Sequence, residues 1–299
     1  MPLFFALSGY VHGMKPYQPG RRDFILQFSK NFLSLYIPCL FFSYLQAFLN
    51  FIVFSSSNVA DAHIPTLRHF LMIPFIGFLN YWFLMALFTV KCIHLVFERI
   101  IKNEILHFSL WVLIFFAALN FDSHGGIFTA SPLAIVSRLS FGLYYHAGYV
   151  ISRKGFVSPV KTPGIFCGTV LLFAGVAFFL VPYFAGGVNF FTRMGAALCM
   201  SFSLLTLFYA LRISNVFLSL CGLYSMVIYC IHNYGAIIFR LLCKFSGLQP
   251  FMADFPLASF TLCFISALLI PFIVVMLYKN VKCLRWIEYI FYPGKLLRK

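Results

Sequence analysis

Apolar runs, each about long enough to cross bilayer hydrocarbon, follow one another along the chain, and short stretches between them carry most of its charge. A helix needs about 20 mostly apolar residues for that crossing. Candidates of this length read at Leu33–Phe54, Phe70–Phe97 (with Pro74 and Gly77 inside), Ile105–Phe121, Leu133–Ile151, Gly164–Tyr183, Phe190–Leu211, Val216–Leu242 and Leu257–Tyr278. A stub, Pro2–Val11, precedes them and is too short to span. The pattern predicts an all-α, polytopic integral membrane helical bundle of eight full spans and an N-terminal partial helix. Composition closes the soluble alternative. Hydrophobic residues make up 62% of the chain and charged ones 10%, against about 45–50% and about 25% in soluble domains. A soluble core of this length cannot bury so much apolar surface.

The formal net charge of +15 suggests nucleic acid at first, but phosphate-gripping surfaces carry a basic stripe. Here the basic residues sit in short loops between apolar runs, so no nucleic acid is expected as a partner. Loop charge sets orientation instead. If the stretch after the stub is cytoplasmic, 16 of the 22 Lys and Arg lie in inner loops or the C-terminal tail, which predicts a cytoplasmic C-terminus. The outer loops Ser55–Arg68, Asp122–Pro132, Ala185–Asn189 and Cys243–Pro256 are too small for a separate domain, and one domain over residues 1–299 is expected. The nine cysteines form no C-x-x-C pair and lie mostly within apolar runs, where Cys behaves as a small hydrophobe. No metal site is read from the sequence. No cleavable signal peptide is seen at the N-terminus.

Polar groups at membrane depth are candidates for function. Gly222, Ser225, Tyr229 and His232 fall at i, i+3, i+7 and i+10, one stripe of a continuous helix. Two readings stay open for it, a hydrogen-bonded seam between helices or a substrate lining. Arg138 keeps its charge and must reach a headgroup, a cavity or an anionic ligand; snorkelling to the outer interface is the simpler account. His146 reads as a bundle ligand or a neutral core residue. Arg21, Arg22 and Lys30 either anchor the orientation or clamp the phosphates of a cytosolic donor. The seven carboxylates all read as loop, span-edge or tail residues, which argues against a proton- or cation-coupled transporter.

Four strings then carry a resemblance. MPLFFALSGYVHG, FSKNFLSLYIPCLFFSYL, YWFLMALFTV and GLYSMVIYCIH follow in order over most of the chain. They resemble the acyltransferase-3 family of membrane acyltransferases, and within it the fucose 4-O-acetylase-like sugar O-acetylases. The resemblance implies a bundle of about ten spans that moves an acyl group, commonly acetyl, from acyl-CoA to a carbohydrate. It marks Trp82, Ser225, Tyr229 and His232 as the family-pattern residues and keeps Lys30 of its basic string; Arg138 is read as a further substrate contact, and Arg21, Arg22 and Lys30 together as the donor-binding residues. Its usual first span holds a Lys or Arg followed eleven positions later by the catalytic His. No basic residue here has a His at that spacing, so the chain is expected to be N-terminally incomplete, with His232 as the one motif histidine available for catalysis. The basic string is also thinned, with Asn31 and Ser34 where Arg or Lys is usual.

The expected activity is therefore an O-acyltransferase of a bacterial inner membrane. It would bind no cofactor, use acyl-CoA (acetyl-CoA above all) as donor, contact membrane lipid, and modify a cell-surface or lipid-linked carbohydrate or glycolipid. The alternatives are a carrier or flippase for a lipid-linked sugar and a non-catalytic remnant of the family.

Overall fold

The computed structural model describes residues 1–15, 21–55, 66–78, 81–122, 134–155, 161–184, 190–211, 215–248 and 254–294. The expected outer loops fall wholly or partly outside this set, as do Arg212 and the tail residues Lys295, Arg298 and Lys299. All regular structure among the described residues is helical. In chain order the helices are α1 (Pro2–Gly13), α2 (Arg21–Asn31), α3 (Ile37–Ser55), α4 (Leu67–Ile76), α5 (Trp82–Ile100), α6 (Glu104–Asp122), α7 (Ala134–Arg138) and α8 (Phe141–Lys154). They continue with α9 (Lys161–Phe184), α10 (Phe190–Leu211), α11 (Val216–Leu223), α12 (Ser225–Phe245), α13 (Pro256–Asn280) and α14 (Ile287–Phe291). Among the described residues, Arg22–Phe51 and Pro256–Asn280 are each long and apolar enough to cross a membrane, and the bent pair α11 and α12 is a third candidate. Shorter apolar helices include Glu104–Ala118, Gly164–Phe178 and Met194–Phe208.

Three of the expected spans are broken rather than continuous. Phe70–Phe97 divides into α4 and α5 because Gly77 sits at φ 68°, a left-handed conformation that closes a helix and suits glycine. Side chains take up the polar backbone at this break. Tyr36 donates to the Pro74 carbonyl at 3.1 Å, the Phe78 N–H donates to Ser43 Oγ at 3.1 Å, and the Cys39 thiol donates to the Tyr81 carbonyl at 3.4 Å. Leu133–Ile151 divides into α7 and α8 at Leu139–Ser140. Val216–Leu242 divides at Tyr224, and its two helices meet at 87°. By contrast, α2 runs into α3 through a π-helical turn, Phe32–Tyr36. Pro38 lacks the N–H that would bond the carbonyl four residues back, and the widened turn just before it accommodates that loss.

The chain forms two compact units, one of Met1–Cys39 with Ser43–Ile213, the other of Leu40–Phe42 with Ser214–Lys299. Within the first, α9 and α10 make an antiparallel hairpin in which Ser203 Oγ donates to the Gly168 carbonyl at 2.7 Å. Within the second, α12 and α13 are antiparallel. Gly235 lies against Ser266 and Ala267 there, where an added Cβ would sit 2.8 Å from the Ser266 oxygen. The closest packing in the first unit joins α1 to α8, which run parallel. An added Cβ on Gly9 would fall on the Tyr145 carbonyl, one on Gly148 would fall on the Ala6 carbonyl, and one on Gly13 would sit 2.7 Å from the Tyr149 oxygen. Small residues let backbones approach in lipid, where close packing supplies much of the association energy. The partial helix expected at the N-terminus is thus a built-in element of the bundle.

Gly148→Ala is expected to lower stability by about 1–3 kcal/mol, because a methyl group must displace helix backbone. Gly222→Ala, where an added Cβ meets nothing within 4 Å, should change it by less than about 0.5 kcal/mol. Thermal unfolding in detergent micelles compares the two.

Candidate functional site

Half of the eight histidines of the chain gather at one end of the first unit, together with two tyrosines and a carboxylate. His12 comes from the last turn of α1, His94 from the later half of α5, His107 from the first turn of α6, and His146 from the middle of α8. The ring centroids are 5.5 Å apart for His12 and His94, 4.8 Å for His94 and His107, 5.5 Å for His94 and His146, and 4.3 Å for His107 and His146. The α1–α8 backbone contact produces the first of these neighbours. It lays His12 beside Tyr145, with Nδ1 2.8 Å from the phenol oxygen.

Glu98, one turn beyond His94, completes a chain of polar contacts. His12 Nε2 is 3.8 Å from its Oε2, and the Tyr149 hydroxyl donates to its Oε1 at 2.6 Å. The sequence reads Glu98, like the other carboxylates, as a loop, span-edge or tail residue. In the structure its side chain is only 14% exposed, because His12 of α1 and Tyr149 of α8 stand against it. Its acceptor oxygens set the geometry. A carboxylate beside Nε2 favours the imidazole form that carries its proton there, leaving Nδ1 as the basic nitrogen.

A cavity of about 350 Å³ opens beside His12. Ser8, His12 and Tyr145 form one part of its wall, and Lys15, Lys30, Lys91 and Asp23 contribute the charges. Three ammonium groups against one carboxylate make it a receptor for anions, and Lys serves as a mobile point charge for phosphate. A second cavity of about 220 Å³ lies beside Glu98, His107, His146 and Tyr149, with Lys102, Glu104, Arg153 and Lys154 also on its wall. Glu104 and Lys154 pair there at 2.9 Å.

The structure distributes the sequence-predicted residues over three places. Lys30 reaches the larger cavity. Arg22 is exposed on α2, and Arg21 opens the same helix with its side chain outside the described residues. Trp82 and Arg138 do come together, the guanidinium lying over the indole at 5.1 Å. Arg138 does not snorkel. It is buried, 7% exposed, and donates to the Ile76 carbonyl at 2.5 Å, so it fastens the end of α4 where Gly77 breaks the helix. Ser225, Tyr229 and His232 lie on α12 in the second unit. The Tyr229 and His232 rings are 5.8 Å apart, and His232 Nδ1 is 2.7 Å from the Tyr229 carbonyl. A carbonyl only accepts, so Nδ1 carries the proton and Nε2 is the acceptor. Gly222 leaves the stripe, since it belongs to α11 beyond the 87° bend, and it forms no close helix approach.

The sequence reading does not single out His12, His94, His107 or Glu98, and it takes His146 more readily as a neutral core residue than as a ligand. They share one signal in the sequence. Each stands a few residues from the basic end of its helix, near Lys15, Arg99, Lys102 and Arg153 respectively for His12, His94, His107 and His146, which places them at similar depth. The burial is also informative. His94, His107 and His146 are 0%, 5% and 1% exposed, and an unsatisfied buried polar group costs about 1–3 kcal/mol.

Comparison with known families places the chain as a whole. The model of an acyltransferase domain, acyltransferase 3, matches residues 1–276, and the chain belongs to this family of polytopic membrane acyltransferases. It is an integral membrane protein. No curated protein and no solved structure matches the chain.

Arg138→Leu should leave the Ile76 carbonyl without its charged donor and remove the contact with Trp82, lowering stability by about 1.5–3 kcal/mol. Detergent thermal unfolding of this variant against wild type measures the loss.

Proposed function

We propose that the chain is a membrane O-acyltransferase that moves an acyl group, acetyl above all, from acyl-CoA to a hydroxyl of a cell-surface or lipid-linked carbohydrate. The membrane is the bacterial inner membrane, with the C-terminus facing the cytoplasm. Family membership supports acyl transfer in general. The observation that carries the finer reading is the cavity in which Lys15, Lys30 and Lys91 stand beside His12 and Tyr145. Acyl-CoA brings phosphates that lysines can hold and a thioester that a base-activated hydroxyl can attack.

In this reading His12 Nδ1 takes the proton from the acceptor hydroxyl as its oxygen attacks the thioester carbonyl. Glu98, beside Nε2, holds the ring in the basic tautomer and stabilises the imidazolium. Tyr145, close to Nδ1, is placed to donate to the oxyanion. Collapse of the tetrahedral intermediate breaks the C–S bond, and the imidazolium returns its proton to the leaving thiolate. Orientation follows from the same residues. The basic ends of α1, α5 and α8 lie together, as inner loops do, and a soluble nucleotide donor reaches them from the cytoplasm.

Membrane vesicles carrying the full chain, supplied with acetyl-labelled acetyl-CoA, should transfer label to a glycan or glycolipid fraction. His12→Gln should reduce the rate by about 100-fold or more, the scale of general-base catalysis, while Lys30→Met and Lys91→Met should chiefly raise KM for the donor. Transfer that is indifferent to His12→Gln would overturn the assignment. Movement of a lipid-linked sugar with no need of acyl-CoA would establish the carrier instead.

A further inference from the structure

We infer that His94, His107 and His146 form a binding site for a divalent transition-metal ion of the zinc class. One ring nitrogen from each can be chosen so that all three lie within 4.8 Å of one another. The rings come from α5, α6 and α8, so the site joins three helices that share no local sequence. Their burial is nearly complete, and among the described residues five of their six ring nitrogens have no hydrogen-bond partner: both on His94, Nε2 on His107 and both on His146. Core histidines are ordinarily bonded. Three together, turned towards one another and without partners, need an explanation, and a shared ion supplies it.

The donor set selects the ion. Neutral imidazoles suit zinc, copper, nickel and iron, whereas magnesium and calcium require oxygen ligands. Three histidines with a fourth position open match the catalytic type of zinc site rather than the closed structural type. Zinc–nitrogen bonds of about 2.0–2.1 Å in a tetrahedron hold the nitrogens about 3.3 Å apart, so ring rotations on the order of 1 Å complete the coordination. Glu98 lies within 4.8 Å of a His94 nitrogen, near the site but with no hydrogen bond to that ring. The smaller cavity, on whose wall His107 and His146 stand, is the access path. Its lysines and Arg153 repel a dication, so the affinity comes from the imidazoles. The neighbouring trio of His12, His94 and Glu98 is the weaker candidate, because its His12 and Glu98 are only partly buried and Glu98 already accepts from Tyr149.

The full chain, purified in detergent, stripped with chelator and dialysed against trace zinc, should retain one zinc per chain by elemental analysis. Cobalt in its place should give the d–d absorption of a tetrahedral nitrogen–oxygen site. His107→Asn and His146→Asn should each weaken zinc binding at least 100-fold. Each variant in chelator should unfold close to the stripped wild type, which shows that the loss is of the ion and not of the fold. His232→Asn should retain the full equivalent. Wild type that binds less than a tenth of an equivalent, zinc retained by both variants, or a cobalt spectrum of an octahedral or thiolate-bound ion would each overturn the assignment. Should the single variants fail to fold, zinc content and cobalt spectrum of the wild type decide alone. Failure of acyl transfer does not bear on this result, since neither readout involves the donor.

Discussion

Gly9 and Gly13 on α1 and Gly148 on α8 allow two parallel helices to meet backbone against backbone. In lipid this contact does what burial from water does in a soluble core, because the apolar faces gain little by leaving one hydrocarbon for another. Its consequences extend to the far end of both helices. With α1 this close to α8, the last turn of α1 can only lie beside Tyr145 and Tyr149, and His12 enters a space already bounded by His94 and Glu98. The larger cavity follows, since Ser8, His12 and Tyr145 form one part of its wall. Phe5 stacks on Phe141 at the other end, 4.9 Å between centroids, and keeps the pair in register.

A second constraint fixes the opposite end of the same unit. Where α4 stops at Gly77 and α5 begins at Trp82, the backbone has lost its internal partners at a depth where water is scarce. Tyr36, Cys39, Ser43 and Arg138 replace them. Arg138 therefore does at this break what a helical ladder would do elsewhere, and its cation–π contact with Trp82 holds the first residue of α5. The family-pattern residue Trp82 and the charged Arg138 thus meet in one braced corner.

Apolar run length made the membrane class legible in the sequence, since few other folds accept eight such runs with so few charges. Helix ends were also close, because charged residues, Pro and Gly mark them. What run length could not show was where a run breaks. Gly77 breaks its helix and Gly148 does not, and the difference lies in which neighbour stands against each one. The same limit applies to the site. Ser225, Tyr229 and His232 form a local stripe that spacing along one helix can show, whereas His12, His94, His107 and His146 come from four helices and share only a depth. Motif spacing along one helix shows the first kind of grouping and is blind to the second.

The choice of side chains at that depth follows from the cost of charge in hydrocarbon. A carboxylate or an ammonium is expensive there, while imidazole and phenol can enter neutral and still exchange protons or bind ions. The chain accordingly keeps Glu98 near a helix end, bonded to Tyr149, and sets histidines beside it. His94 stands between the two groupings. Its ring lies 5.5 Å from His12 on one side and 4.8 Å from His107 on the other. Fixing that ring from one side removes its freedom to turn on the other, so an ion at the proposed three-histidine site would be coupled to a proton on His12 through one shared side chain. The cost of charge in hydrocarbon thus favours neutral, proton-accepting rings at the place where these two proposed roles meet.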